Sequence, residues 1–363
     1  MNNPIAHTIA PEQEADVSLK AICRGQIVFS DHQHYIISHE DGFDLRDAKT
    51  DVLIESVSVP LRLKKRFYAN AFNRILRLGI HHVLPVPAGY LVCFDRMLGF
   101  WVRKKSDFVN LTELTGKRPL RICVNGERVL YGEYRSNDAR TPVRIMISES
   151  AQSWRELIRL GGVRHIHSIT YDSGGDCYWI CTGDDDHESR LYRLDGDLKR
   201  VEIVSWGDQL SRFIAVLPFE RHLLLATDTP FVRNRILLMD KASSRMETLG
   251  EVAGSVFWGN TTAHGSFFST ACEPSAVNDT RQAFVYRVTA DLSLRRMAQF
   301  KKDRMPMKLG QYGQLRLPAT GSTPDRNLFS TFSVRPHGEV YEMEFPDSQD
   351  AVIAASRGPA QGD

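Results

Sequence analysis

The chain has 363 residues, and its 46 Lys and Arg against 44 Asp and Glu give a formal charge of +2. Such a balance does not favour nucleic acid as a partner, and no apolar run approaches the roughly 18 residues that a membrane span requires. The length allows either two ordinary domains or one large repeat fold.

The two ends of the chain differ in composition from its middle. Residues 1–18 lack the basic and apolar segments of a signal peptide, so we predict a flexible arm and a cytoplasmic protein, with export by another route left open. The six cysteines lie mostly in apolar, strand-like runs, where buried free thiols are common. After residue 346 the sequence turns polar and small, which predicts a disordered tail over 347–363.

Three short strands and one helix are predicted before residue 80. Apolar runs at 27–29, 35–37 and 52–54 are separated by polar turns, which is typical of strands. Over 61–78 apolar residues recur at helical spacing among Arg and Lys, so we predict a short basic helix there. Its charged face is most simply a solvated surface, and contact with an anionic partner is the alternative.

A repeated pattern of strands follows from residue 81. Apolar second strands recur with starts roughly 40–60 residues apart, and a spacing near 45 with four strands per unit is typical of a propeller blade. These second strands cover 90–94, 129–133, 178–182, 223–227, 266–270 and 328–331, with third strands at 143–147 and 235–239. We therefore predict an all-β fold, a single β-propeller over 19–346 with seven four-stranded blades, and six as the alternative count. Two stacked sandwiches would explain the strands but not their even spacing.

The segment 162–188 concentrates reactive side chains on one predicted hairpin. His165 and His167 are two residues apart on a strand and therefore share a face. A hairpin brings the start of its first strand beside the end of its second, which here carries the acidic run 184–188. The two imidazoles and these carboxylates should therefore meet at one end of the hairpin.

The propeller prediction extends this meeting point to the other blades. The start of each innermost strand and the end of each second strand lie on the same face of the ring, and loops on a rigid scaffold commonly form sites. The polar residues at such positions are His81, His82, Glu133, Tyr134, Arg164, His165, His167, Asp184, Asp186, Glu188, Asp228, Glu273, Gln311 and Tyr312. We predict that they form one polar basin over the central channel.

A metal ion is one use for part of this basin. His165 and His167 would need a third ligand, for which Asp184, Asp186 and Glu188 are candidates. The spacing matches no specific metal motif, and hydrogen bonds to neighbouring blades or a capped turn explain the same residues. We therefore predict that no cofactor is required and keep a divalent metal as the alternative.

Motifs over roughly residues 20–345 carry a resemblance to a known family. They lie at 79–85, 131–134, 164–167, 182–188, 226–230, 273–275, 305–308 and 311–313. In these segments the chain resembles the sialidase-like Asp-box (BNR) propellers, and more closely a bacterial group labelled glycosyl hydrolase and associated with exopolysaccharide gene clusters. The Asp box, Ser-x-Asp-x-Gly-x-Thr-Trp, is degenerate at 147–154, which keeps Trp154 but has Glu, Ala and Ser at other positions. No Arg-Ile-Pro element occurs, so hydrolysis of sialic acid is not expected.

The resemblance implies a propeller that acts on or binds an acidic or modified polysaccharide or oligosaccharide. Hydrolysis needs two carboxyl groups about 5–10 Å apart, and the candidates are Glu133, Asp184, Asp228 and Glu273. Elimination by a lyase needs a base and a cation that stabilises the developing charge, and the candidates are His165, His167, Tyr134, Arg164 and Lys308.

Histidine titrates near neutral pH, which slightly favours a lyase over a hydrolase. We predict that His81, His82, Gln311 and Tyr312 contact the substrate together with Arg164 and Lys308. The alternative is a non-catalytic glycan-binding or assembly propeller, since fold does not fix function and a degrading enzyme in the cytoplasm would rarely meet a finished polymer. The sequence leaves the oligomeric state open.

Overall fold

The backbone forms seven largely antiparallel sheets. The structure, a computed structural model, describes residues 13–14, 17–61, 78–278, 280–307 and 312–345. Six sheets are built from four strands that follow one another in sequence, whereas the last takes its outermost strand from near the start of the chain. We number the sheets as blades 1 to 7 in the order of their innermost strands.

The strands of each blade are given from the innermost outward. Blade 1 comprises Gln26–Ser30, His34–Ser38, Gly42–Asp47 and Leu53–Ser58; blade 2, Ile80–Val86, Gly89–Phe94, Met97–Val102 and Asp107–Glu113; blade 3, Ile122–Asn125, Arg128–Gly132, Val143–Ser148 and Arg155–Leu160. Blade 4 comprises His165–Asp172, Cys177–Gly183, Arg190–Asp195 and Val201–Trp206; blade 5, Phe213–Pro218, His222–Thr227, Asn234–Asp240 and Met246–Val252. Blade 6 comprises Val256–Thr262, Gly265–Thr270, Gln282–Val288 and Leu294–Lys301; blade 7, Gln314–Arg316, Leu328–Phe332, Glu339–Glu344 and Ser18–Arg24.

Short elements complete the described chain. Two-residue strands pair in parallel at blade edges, Gln13–Glu14 with blade 6 and Ala319–Thr320 with blade 1. The described helices are single 3₁₀ turns at Arg103–Lys105, Asp186–Glu188 and Gln209–Ser211. None of these described helices has the length and hydropathy that crossing a bilayer requires.

Apolar packing between neighbouring blades joins the seven sheets into a ring. Seven buried clusters each combine side chains from two consecutive blades. The cluster that joins the ends of the series packs Ile27 and Tyr35 of blade 1 against Leu328 and Val340 of blade 7. Because blade 7 packs on blade 1, the sheets form a closed β-propeller, and the predicted all-β fold with seven four-stranded blades is confirmed.

The second strands are the most deeply buried elements. Gly89–Phe94 and Cys177–Gly183 are buried at every position, because both faces of each blade are covered by its neighbours. Strands covered on both faces are apolar without interruption instead of alternating, which is why all six predicted second strands and both third strands are confirmed to within a few residues. The sequence analysis missed Gly42–Asp47, where three charged residues interrupt the apolar pattern.

The ring is joined through the N-terminal region of the chain. Ser18–Arg24 pairs antiparallel with Glu339–Glu344 as the outermost strand of blade 7. The predicted arm over 1–18 thus ends in a strand that the sequence analysis did not foresee. The remaining predictions for these regions, a basic helix over 61–78 and a tail over 347–363, lie outside the described residues except for the two ends of the helix.

Residues 147–154, which the sequence analysis compared with an Asp box, join the third and fourth strands of blade 3. Ala151 takes the position of the pattern's glycine and has a φ of 59°, in the left-handed region that glycine favours. Trp154 packs edge to face on Tyr131 with ring centroids 5.0 Å apart. Trp154 is only half-buried, so it covers the blade edge and does not belong to the core.

Candidate functional site

A central cavity of about 790 Å³ opens where the inner strands begin. Every blade contributes at least one lining residue, for example Gln26 from blade 1 and Gln314 from blade 7. The residues of the predicted basin that line it are His81, His82, Tyr134, His165, His167, Asp184, Asp228, Glu273 and Tyr312. The starts of the innermost strands and the ends of the second strands thus bring together side chains that are up to 231 residues apart in sequence.

Bulges at the starts of the inner strands turn side chains into this cavity. Five inner strands have a register shift there, at Ile27/Phe29, Ile80/His82, Ile166/Ser168, Phe213/Ala215 and Val256/Trp258. A bulge sets two residues of one strand against one of its partner and re-aims a side chain. In four of these blades the extra residue lines the cavity: His81, His167, Ile214 and Phe257. The bulge explains why His81 and His82 both reach the cavity, although neighbours on a regular strand point to opposite faces.

Two histidines of blade 4 converge on one carboxylate. The Nε2 atoms of His165 and His167 each lie 3.5 Å from Oδ1 of Asp184, and the two imidazole centroids are 5.1 Å apart. Arg212 Nη2 lies 3.1 Å from the same oxygen. Burial alone would raise the pKa of Asp184, but the two imidazoles lower it far below its usual range.

Burial favours the neutral form of two cavity histidines, His82 and His165. Burial lowers the pKa of His82 to about 3, and its Nε2 lies 3.0 Å from the carbonyl of Pro119. Burial also lowers the pKa of His165, with the carboxylate of Asp184 acting against that shift. Both side chains are therefore set up to accept or donate hydrogen bonds without carrying a charge.

A second carboxyl group of the cavity, that of Glu273, has a pKa close to neutral pH. Burial, followed by the negative charge of Asp228, raises the pKa of Glu273 to about 7, while Arg212 and a hydrogen bond with Tyr312 act in the other direction. Arg212 Nη2 lies 3.9 Å from Asp228. Glu273 thus exchanges a proton close to neutral pH beside an aspartate.

Several predicted site residues lie outside the cavity lining because other side chains engage them. Glu133 is buried and accepts a hydrogen bond of 2.8 Å from Arg144 Nε. Glu188 is fully buried in an ion pair with Arg140. Asp186 accepts a hydrogen bond of 2.8 Å from Gln209.

The remaining predicted contacts are Arg164, Lys308 and Gln311. Arg164 is absent from the lining and bridges Asp138 at 2.9 Å and Asp184 at 3.4 Å. Lys308 and Gln311 lie outside the described residues.

Cations dominate the cavity wall, and the sequence analysis missed them. Seven basic side chains line it, against four carboxyl groups. The basic residues are Arg96, Lys117, Arg118, Arg121, Arg135, Arg212 and Arg316. The sequence analysis searched the starts of innermost strands and the ends of second strands for histidine and acidic residues. The same search for arginine would have found Arg135 after Tyr134 and Arg212 before Phe213.

Two of these arginines contact uncharged groups instead of carboxylates. The guanidinium of Arg121 lies 4.1 Å from the ring centroid of Trp258 and donates a 2.9 Å hydrogen bond to the carbonyl of Phe257. Arg135 donates a 2.8 Å hydrogen bond to the hydroxyl of Thr141. Within the described residues neither guanidinium forms an ion pair with a carboxylate, and burial lowers the pKa of Arg121 to about 10. Both therefore offer a positive charge to the cavity.

Comparisons with known proteins bear on the fold. No family model and no curated protein matches the chain. A chain in the crystal structure of a mitotic checkpoint complex is similar in structure, with a TM-score of 0.55 and 10% identity over 95% of both chains. The β-propeller domain of Cps50 (Swd1) from Myceliophteria thermophila is similar with a TM-score of 0.54 and 9% identity, over 91% of this chain and 99% of that domain. At such identities the likeness shows a shared fold, and the chain is a seven-bladed β-propeller with a cationic central cavity.

Proposed function

We propose that the central cavity binds an acidic saccharide and that the protein is a glycan-binding propeller. The observation that carries this proposal is the placement of Arg121 and Arg135, two cavity guanidiniums with neutral partners. A guanidinium buried without a carboxylate keeps its capacity to pair with an incoming one. A uronate supplies that carboxylate.

The shape and the uncharged part of the wall also suit a sugar ring. The cavity volume of about 790 Å³ lies within the roughly 300–1,000 Å³ of small-ligand sites. Tyr134, Phe257, Trp258 and Tyr312 present aromatic rings to it, on which the apolar face of a pyranose can pack. Histidine and glutamine side chains add hydrogen-bonding groups for hydroxyls.

The structural neighbours favour binding over catalysis. One of them is part of a mitotic checkpoint complex, so that propeller works within an assembly. This likeness supports a binding role for the present chain. The choice of a saccharide as the ligand depends on the chemistry of the cavity alone.

The Arg121→Gln variant tests the proposal. We expect it to bind a uronic acid trisaccharide roughly 10- to 100-fold more weakly than the wild type, since a charge-assisted bond to a desolvated carboxylate is lost. Isothermal titration calorimetry measures both affinities. A carboxyl-reduced form of the same trisaccharide should bind the two proteins equally, because it has no charge to pair.

The control variant is Arg200→Gln, which removes an exposed cation of blade 4 whose guanidinium pairs with Glu202 at 3.2 Å. It should leave the trisaccharide affinity unchanged. Equal affinity of the wild type for the acidic and the reduced trisaccharide would contradict the proposal, whatever the variants do.

A second candidate function is cleavage of the bound saccharide. It is favoured by the proximity of Asp228 to Glu273, whose pKa of about 7 suits proton transfer at neutral pH. In this scheme protonated Glu273 donates its proton to the glycosidic oxygen as the bond between that oxygen and the anomeric carbon breaks, while Asp228 takes a proton from a water molecule whose oxygen bonds to the same carbon. Production of reducing ends with wild type but not with Glu273→Gln would establish it, and absence of both reducing ends and unsaturated uronate absorbance would leave binding alone.

Glu273 also makes a prediction about pH that does not require turnover. Below about pH 7 its carboxyl group is mostly neutral, and above pH 7 it is mostly anionic and repels an acidic ligand. We therefore expect affinity for the uronic acid trisaccharide to fall roughly 3- to 10-fold between pH 6 and pH 8. Glu273→Gln should bind at pH 8 as tightly as the wild type binds at pH 6, and an identical pH profile in the two proteins would contradict the role of Glu273.

A further inference from the structure

The cluster of His165, His167 and Asp184 has the spacing of a metal site. One potential ligand atom from each residue lies within 4.8 Å of the other two, and both Nε2–Oδ1 distances are 3.5 Å. That separation exceeds the roughly 2.7–3.2 Å of a good hydrogen bond. It equals the distance between two ligands of a tetrahedral ion with bonds of about 2.0–2.2 Å.

The hydrogen bonding of His167 points its free lone pair at the same spot. Nδ1 of His167 lies 3.1 Å from the carbonyl oxygen of Phe213, and a carbonyl can only accept, so Nδ1 carries the proton. In the neutral ring Nε2 then holds the lone pair that faces Asp184. A metal ion between Nε2 and Oδ1 would be bound by both atoms, and a backbone carbonyl behind the imidazole is a common partner of a metal-bound histidine.

The local packing fixes the positions of both rings. His165 and His167 are 6% and 2% exposed, and the ring of Tyr134 packs on His165 at a centroid distance of 4.3 Å. A Cβ atom at Gly183 would lie 2.7 Å from Cε1 of His167, so the ring occupies space that only glycine leaves next to Asp184. The three ligand atoms are therefore held in place without any ion.

We propose that His165, His167 and Asp184 bind a divalent first-row transition metal ion, with Zn²⁺ as the probe. Two imidazoles and one carboxylate suit zinc, cobalt or manganese better than calcium or magnesium, which prefer oxygen ligands. The remaining coordination positions face the central cavity. Arg212 at 3.1 Å and Arg164 at 3.4 Å orient the carboxylate but also share its charge, so the affinity is moderate. Asp186 and Glu188, the other predicted ligands, are engaged by Gln209 and Arg140 and take no part.

The test uses the full chain without an affinity tag, stripped with a chelator and then dialysed. Zn²⁺ titrated by calorimetry is expected to bind one ion per chain and to raise the melting temperature, and Co²⁺ is expected to give visible absorption bands of a nitrogen and oxygen ligand set. His167→Gln and Asp184→Asn should each weaken Zn²⁺ binding by more than roughly 100-fold. The matched control is His187→Gln, since the side chain of His187 is 68% exposed on the same blade, and it should bind like the wild type.

The wild type alone can overturn the proposal, so folding of the variants is not decisive. Absence of a Zn²⁺ heat signal and of cobalt bands in the chelator-treated wild type would do so, as would unchanged affinity in folded His167→Gln. Both readouts are taken without saccharide, and the trisaccharide titration is taken without metal. Failure of the metal site is therefore distinguishable from failure of the proposed saccharide binding.

Discussion

Deletion of residues 1–24 is expected to lower the melting temperature by roughly 5–10 °C. The deletion removes Ser18–Arg24, which forms six register pairs with Glu339–Glu344. At a net gain of about 0.5–1.5 kcal/mol per hydrogen bond, several kcal/mol of the free energy of unfolding depend on this strand. At an unfolding entropy of about 2.1 cal/mol/K per residue, a change of 1 kcal/mol shifts the midpoint of a protein of this size by about 1–2 °C. The uncovered edge of blade 7 should also promote aggregation.

A peptide added back to the shortened protein provides the control. A synthetic peptide of residues 17–25 should raise the melting temperature of the truncated chain, as measured by differential scanning fluorimetry. The same peptide with Ala21→Pro should not, because proline distorts the paired backbone opposite Tyr341. A truncated protein that melts with the full chain would show that the strand contributes nothing to stability.

The second large effect is expected for Glu188→Gln, which should lower the free energy of unfolding by about 2–4 kcal/mol. The carboxylate of Glu188 is fully buried, pairs with Arg140 and accepts a 3.0 Å hydrogen bond from the backbone N–H of Arg164. Glutamine keeps the shape, but among the described residues it leaves Arg140 to pair with the exposed carboxylates of Asp138 and Asp185, besides its hydrogen bonds to two backbone carbonyls. Urea unfolding measures the difference.

Glu149→Gln is the matched control for this substitution. Glu149 is also paired with arginine, at 3.3 Å to Arg128 and 3.5 Å to Arg155, but its side chain is 55% exposed. Exposed ion pairs contribute about 0–1 kcal/mol, so the change should be small. Equal losses in the free energy of unfolding for the two variants would contradict the idea that burial of Glu188 strengthens its ion pair.

The fold was predictable where burial imposes a simple pattern. Second strands such as Cys177–Gly183 are covered on both faces, so their sequences are largely apolar and easily recognised. Ser18–Arg24 could not be found in this way, because most of its side chains are exposed. It becomes a strand through a partner more than 300 residues later, as the pairing of Ser18 with Glu344 shows.

The location of the candidate site was predictable from the sequence, but the set of residues that line it was not. Propeller geometry places the ends of second strands at the cavity, yet Glu133 and Glu188 are taken up by Arg144 and Arg140. Nothing local in the sequence reveals such an arginine, since Arg140 lies 48 residues before Glu188. Single-residue bulges are equally invisible in a sequence, although one of them turns His81 into the cavity beside His82.

Blade 7 takes its outermost strand from residues 18–24 and its neighbouring strand from residues 339–344, which constrains the order of events during synthesis. Residues 18–24 leave the ribosome well before residues 339–344, and they find their partner only after more than 300 further residues have been synthesised. At a synthesis rate of about 5–20 residues per second, that wait lasts on the order of tens of seconds. A nascent chain released early would therefore carry unpaired strand edges at both ends, and quality control could recognise incomplete molecules by them.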